Sequence, residues 1–328
     1  MNVLVSGACG YIGSHAVRCL LKAGHRPVAL DNLSRGHRAS LPAGVEFLQL
    51  DVRDTDAVTN ALQRHSIDCV MHFAAFIAVG ESVVEPLVYY DNNTRGTMSM
   101  LQAVDRAGVK RFVFSSTAAT YGEPEIMPIT EETAQRPINP YGWSKLFSER
   151  MLFDYAAKNA AFSFAALRYF NVAGSSADGS IGEDHRPETH LIPVILHAKL
   201  GIREKVTLFG EDYPTPDGTC IRDYVHVEDL VEAHVQVAEA LRPGQALTYN
   251  LAIGRGYSVK EIVAEARNVV GDFPVEFGQR RPGDPPMLYA DASKIKRELG
   301  WVAKRPEIRT MIESAWNWYR SHPDGYPE

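Results

Sequence analysis

The chain is poor in cysteine: four among 328 residues (Cys9, Cys19, Cys69, Cys220), none spaced as C-x-x-C. That is too few for a disulfide scaffold. Long apolar runs are also missing. The longest, residues 70–79, already contains His72 and falls well short of the ~18–20 residues that span a bilayer. Positive charge is not in excess either: Lys+Arg 34 against Asp+Glu 40 gives a net charge of −6, so no basic field exists to hold a nucleic acid. No basic segment followed by an apolar run and a cleavage site opens the sequence, and a secreted protein is not expected. No H-E-x-x-H or comparable spacing organises the eleven histidines, so no metal is expected. The expectation is a cytoplasmic globular protein with neither nucleic acid nor membrane as partner.

What is present is an alternation. Val3-Leu4-Val5, Pro27-Val28-Ala29-Leu30, residues 45–50, 69–73, 111–115 and 164–169 are short apolar runs of strand type. Between them lie helical patterns, at 12–22, 55–64 and 140–158 among others, or turns. Strands alternating with helices predict parallel βαβ units and an α/β, doubly wound sheet. After Asn171 the texture changes, with loops rich in Gly, Ser, Asp and Pro at 173–188, 212–218 and 279–286. Loops of that length in a compact protein are usually functional.

Gly7-Ala8-Cys9-Gly10-Tyr11-Ile12-Gly13 follows the first strand and opens the first helix. There the glycines allow a tight turn, and the helix N-terminus offers free N–H groups to a pyrophosphate. Asp31 ends the second strand, where a carboxylate would meet a ribose 2′-hydroxyl and repel a 2′-phosphate, which favours NAD over NADP. Arg35 and Arg38 follow closely, so these residues alone leave the choice open. Asp51, after the third strand, is placed to face an adenine. Tyr141 and Lys145, spaced i and i+4, share a helix face. A neighbouring ammonium favours phenolate and turns a tyrosine into a usable general base, although the same spacing also suits a helix-anchoring tyrosine with a solvent lysine. Thr117 follows a strand at the sheet edge where open α/β sheets bind ligands. It is equally suited to capping a turn.

In this order, these features resemble the extended short-chain dehydrogenase/reductase superfamily, with its Ser/Thr and Tyr-x-x-x-Lys. More narrowly, the whole chain resembles the family of UDP-glucose 4-epimerases. The matching stretches are 7–15, Asp31-Asn32-Leu33, His72-Phe73-Ala74-Ala75, Val79-Gly80-Glu81-Ser82, Tyr89-Tyr90-Asp91-Asn92-Asn93, Arg168-Tyr169-Phe170-Asn171, Arg222-Asp223-Tyr224, Arg281-Pro282-Gly283-Asp284 and 322–326. The resemblance implies a Rossmann-like NAD domain over 1–175, rejoined by about 222–252, and a smaller α/β C-terminal substrate lobe over 176–328. It implies NAD held by Gly7, Gly10, Tyr11, Ile12, Gly13, Asp31, Asn32, Leu33, Ser34, Arg35, Gly36, Asp51, Val52, Phe73, Ala74, Ala75, Ile77, Asn92, Thr117, Tyr141, Lys145 and Phe170. A UDP-sugar would meet Thr117, Tyr141, Asn171, His190, Leu191, Ile192, Thr207, Leu208, Phe209, Arg222, Arg281, Asp284 and Leu288. Thr117, Tyr141 and Lys145 would be catalytic, in the C4 epimerisation of UDP-galactose and UDP-glucose through a 4-keto sugar. A homodimer through the helices near 82–107 and 141–158 is implied as well.

Three positions depart from the family pattern. Ile77 stands where many relatives carry lysine, His190 replaces a common asparagine, and Leu288 is intermediate between a bulky tyrosine and a small residue. Leu288 leaves UDP-N-acetylhexosamines open as alternative substrates, and a UDP-pentose is another. A 4,6-dehydratase would need an Asp-Glu pair after Thr117, where this chain has Ala118-Ala119. A non-enzymatic NAD-binding sensor would be expected to lack the catalytic set, and here it is complete.

Overall fold

The computed structural model describes residues 1–280 and 285–327. The first half runs β1 (Asn2–Ser6), α1 (Tyr11–Lys22), β2 (Arg26–Asp31), β3 (Glu46–Gln49), α2 (Thr55–Arg64), β4 (Cys69–His72), α3 (Val79–Val84), α4 (Pro86–Tyr89), α5 (Gly96–Ala107), β5 (Arg111–Ser115), α6 (Pro140–Lys158) and β6 (Ser163–Tyr169). Then come β7 (Asn171–Ala173), α7 (Leu191–Lys199), β8 (Val206–Phe209), β9 (Ile221–His226), α8 (Val227–Ala240), β10 (Ala246–Leu251), β11 (Gly256–Ser258), α9 (Val259–Val270), β12 (Val275–Gly278), β13 (Met287–Leu288), α10 (Ser293–Leu299) and α11 (Ile308–Ser321).

Seven strands form one parallel sheet in the order β10-β6-β5-β4-β1-β2-β3. Side chains alternate between its faces, as the strand period demands. Val3 and Val5 enter one core with Cys69, Met71, Ala165 and Leu167, whereas Leu4 enters the opposite core with Val70, Phe164 and Ala166. Helices α1 and α8 cover the first face, and α2 and α5 the second. The apolar character of the central strands follows from this double cover. Because β1 lies between β2 and β4, the strand order reverses at its C-terminal end, where such sheets open a ligand crevice.

The chain returns to this sheet with α8 and β10, while β9 stays outside it. β9 pairs with β7, β11 and β13, and β8 pairs with β12. Helices α7, α9 and α11 pack beside these strands around a further core that includes the fully buried Trp318. The fold is thus α/β, a Rossmann-like doubly wound sheet with a smaller α/β lobe. Residues 174–190, between β7 and α7, contain no helix or strand. Among the described residues no helix is long and apolar enough to cross a membrane.

Candidate active site

The glycine turn places α1 at the crevice. Gly10 caps the helix without a side-chain hydrogen bond, and its first turn carries no acid, so the N–H groups there can take an anion. Close packing demands glycine: a Cβ on Gly13 would stand 2.0 Å from the Gly7 carbonyl oxygen. Gly7 lies against Phe73 and Ala74 at the end of β4. Ile12 leans on the core, and the Tyr11 hydroxyl donates to the Gly174 carbonyl at 2.6 Å. This cradle, with uncapped N–H groups and no side chain inside it, fits a pyrophosphate.

Asp31 shapes the next part. Its two carboxylate oxygens accept the backbone N–H groups of Cys9 (2.9 Å) and Leu33 (2.8 Å). Each retains accepting capacity for a ribose hydroxyl. Burial raises its pKa, against the lowering effect of those two bonds. Asn32 accepts from Ser34 N at 3.0 Å and donates to Asp51 at 3.0 Å. Gly36 packs on Cys9. Arg35 reaches Glu81 at 2.6 Å and lies over the Phe76 ring, and Arg38 lies over Phe47. Both arginines of the open NAD/NADP question are engaged with these groups. Asp51 lies beyond the end of β3 and forms a fork with Arg53 (2.8 and 2.7 Å) that holds its carboxyl well below the usual range. Val52 is buried in the core.

On the far side of the crevice Phe73 packs on His234, Ala74 and Ala75 are half-buried, and Ile77 is exposed. Asn92 donates to Asn93 at 2.9 Å, and Asn93 brackets Phe76 through its N–H (2.8 Å) and carbonyl (3.0 Å). Asn93 was not singled out in the sequence, yet it fixes this loop.

Asn139 caps α6 by accepting from Gly142 N at 2.8 Å. Gly142 lets the helix lie on the turn after Thr117: a Cβ there would stand 2.6 Å from the Ala119 carbonyl oxygen. The packing thereby brings together residues 24 positions apart in the chain, close enough that the Thr117 side chain favours the Tyr141 phenolate. Thr117 also caps its turn, its Oγ1 accepting from Ala119 N at 3.1 Å. The turn-capping reading of this hydroxyl is therefore seen in the structure. Lys145 is buried, and its Nζ donates to the Ser115 carbonyl at 2.8 Å. Burial pushes the Tyr141 phenol up to about 12, with Thr117 opposing, and pushes Lys145 down to about 7, with Glu149 opposing. The expected depression of the phenol by its lysine is not found: burial raises it, and the group opposing burial is Thr117.

Several residues to which the sequence alone assigned no role support this cluster. Tyr169 hydrogen-bonds Ser115. Glu149, one helical turn beyond Lys145, accepts from Arg168 through both oxygens (2.9 and 2.6 Å), from Ser116 and from Gln135. Arg168 also donates to Tyr121, and Tyr121 to Asn250. Their signals were the i+4 step from Lys145 to Glu149 and the place of Arg168 and Tyr169 in a family-like stretch, neither of which gave them a role.

The sites expected for substrate are distributed along the second lobe. Asn171 donates to the Asp223 carbonyl at 3.2 Å. Leu288 pairs with Arg222 in the β13–β9 register, and with Phe170 it is partly buried against the apolar cluster of Ala118, Tyr121, Ile129, Ala252 and Ala290. Arg222 also donates to the Ile221 carbonyl at 2.8 Å. Thr207 donates to Glu276 at 2.9 Å, Phe209 is exposed, and Leu208 is buried in the second lobe's core with Ile192. His190 caps α7 and Leu191 is half-buried. Carboxylates of Glu183 and Glu188 hold His190 protonated far above its ordinary range. Arg281 and Asp284 lie outside the described residues.

Residues 3–252 match the NAD dependent epimerase/dehydratase family. The chain is 50% identical to the UDP-glucose 4-epimerase of Lactobacillus helveticus, covering 100% of both. It is similar to a solved UDP-glucose 4-epimerase at a TM-score of 0.96 and 47% identity, covering 100% of both chains. A second solved structure, the UDP-glucose 4-epimerase from Bifidobacterium longum in complex with NAD+ and UDP, matches at a TM-score of 0.95 and 39% identity, covering 99% of this chain and 100% of that one. The family match over most of the chain and the likeness over its full length show that the chain belongs to the NAD dependent epimerase/dehydratase family.

Proposed function

We propose that this chain interconverts UDP-galactose and UDP-glucose by inverting C4 through a 4-keto sugar. The observation that carries the reading is the Thr117–Tyr141–Lys145 cluster at the sheet edge, beside a pyrophosphate cradle. Tyr141 takes the proton of the sugar 4-hydroxyl and later returns it, with Thr117 sharing the hydrogen bond. Burial penalises phenolate and ammonium separately, but together the two charges relieve each other, so Lys145 makes the Tyr141 base accessible. When bound, NAD supplies the hydride acceptor and donor at C4. Asp31 and the first turn of α1 hold that cofactor. Arg222 and Arg281 anchor the diphosphate, and the hexose turns over between the two half-reactions.

In this reading, residues 1–175 with the return at about 222–252 bind NAD, and 176–328 mainly bind the sugar nucleotide. The chain acts in the cytoplasm as a homodimer. Support for the dimer is an apolar surface on α3, α4 and α6, where Val84 is 75% and Leu87 78% exposed beside Trp143 and Phe147. Incubating the purified chain with UDP-galactose, UDP-N-acetylgalactosamine and a UDP-pentose in parallel tests the substrate. Conversion of UDP-galactose above the other two is expected, and a chain converting only one of those others would overturn the assignment.

A further inference from the structure

We propose that Glu183, His185, Glu188 and His190 form a four-ligand site for a divalent transition metal, with Zn2+ the cation it fits best. Their donor atoms lie within 4.8 Å of one another, in the segment between β7 and α7. The Nδ1 atoms of His185 and His190 approach the same Glu183 oxygen at 3.1 and 2.9 Å. Glu188 completes the set, one oxygen 3.0 Å from His190 and the other 3.5 Å from His185. Bonds of about 2.0–2.1 Å to a tetrahedral zinc would set neighbouring donors roughly 3.3 Å apart, in the middle of that spread.

The hydrogen bonding makes a second, independent case. Glu183 is 3% and Glu188 8% exposed, yet among the described residues Glu183 Oε1, Glu188 Oε2 and His185 Nδ1 have no aligned hydrogen-bond partner, while His190 Nδ1 bonds the other Glu188 oxygen at 3.0 Å. They converge without the alignment that N–H···O bonds require. Buried polar atoms left in that state call for a partner. The two imidazole rings lie with centroids 5.3 Å apart, so both can face one ion. Two imidazole nitrogens and two carboxylate oxygens are the donor set of a borderline-soft divalent ion, and four protein ligands close a structural site.

The position suggests what the ion does. His185 packs edge-on against Tyr11 of the cofactor turn, and His190 caps α7. The buried Tyr319 hydroxyl, which makes no hydrogen bond among the described residues, borders the same carboxylates. A cation there ties residues 183–190 to the first turn of α1 and to the start of α7. The proposal does not rest on the epimerase reading.

The test uses untagged full-length protein, stripped with EDTA, incubated with Zn2+, passed through gel filtration and assayed for metal by mass spectrometry. Stoichiometric zinc is expected, with affinity about 10–100-fold weaker in Glu183→Gln and His185→Ala. Zinc should raise the thermal midpoint of the wild type and not that of the variants. Co2+ in the wild type should give the strong visible bands of a tetrahedral site, and this readout decides if a variant fails to fold. Wild-type protein that retains no zinc, variants that retain it equally, or cobalt without tetrahedral bands would overturn the site.

Discussion

Lys145 Nζ donates to the main-chain carbonyl of Ser115 at 2.8 Å, which pins a helix-borne cation to the end of β5. Thr117 leaves that strand two residues later, and Tyr141 stands one turn back along α6. One hydrogen bond thus locks the helix and the sheet edge that together present the acid/base. Tyr141→Phe should keep the fold and the bound cofactor while losing roughly 10²–10⁴ in rate, the usual worth of a positioned acid/base. Near wild-type turnover in that variant would remove Tyr141 from the mechanism.

Behind the cluster, Arg168 and Glu149 are both buried and joined by a two-bond fork. Removing one partner leaves an uncompensated buried charge, which typically costs about 3–5 kcal/mol. Arg168→Met should therefore lower the denaturant midpoint by an equivalent amount. Arg168→Met with Glu149→Leu should recover part of the loss. A single variant as stable as the wild type would contradict the role given to the pair.

His72 is fully enclosed, between Ser6 Oγ at 2.6 Å and Thr97 at 3.2 Å. Burial pushes its pKa from 6.5 down to about 3. A folded-state value below the unfolded one gives stability that is complete above about 6.5 and is lost as pH falls towards 3. His15, His226 and His234 shift the same way, through burial first. The midpoint of unfolding should drop as pH decreases from 6.5 to 4, and less steeply in His72→Gln. An unchanged slope in that variant would show that His72 contributes none of it.

Leu288 and Phe170 are partly buried against the apolar cluster that includes Ala118, the residue after Thr117. If it limits the space for the sugar, Leu288→Gly should raise kcat/KM for UDP-N-acetylgalactosamine relative to UDP-galactose, and Leu288→Tyr should lower it. One buried methylene changes discrimination by roughly 10–200-fold. Equal ratios in all three proteins would remove Leu288 from specificity.

Much of the fold was legible because its signals are local. Runs such as Val3-Leu4-Val5 are too short for a helix and read as buried strands, and the glycines before Ile12 mark the turn that follows. Thr117 and the Tyr141/Lys145 pair were legible by spacing. The sign of the Tyr141 shift was not, because it depends on desolvation set by packing from distant segments. Glu149, Arg168 and Tyr169 come together only through pairing of β5 with β6 and the docking of α6. Glu183, His185, Glu188 and His190 sit in an irregular segment with no helical or strand period, so no pattern shows that their side chains converge.

The central claim is that hydride leaves C4 and returns to it within one active site. The most direct test is UDP-galactose carrying deuterium at C4, incubated with the purified chain in ordinary water without added NAD. The account predicts UDP-glucose that retains the deuterium at C4. Product that has exchanged the label with solvent, or no product even after NAD is added, would contradict it.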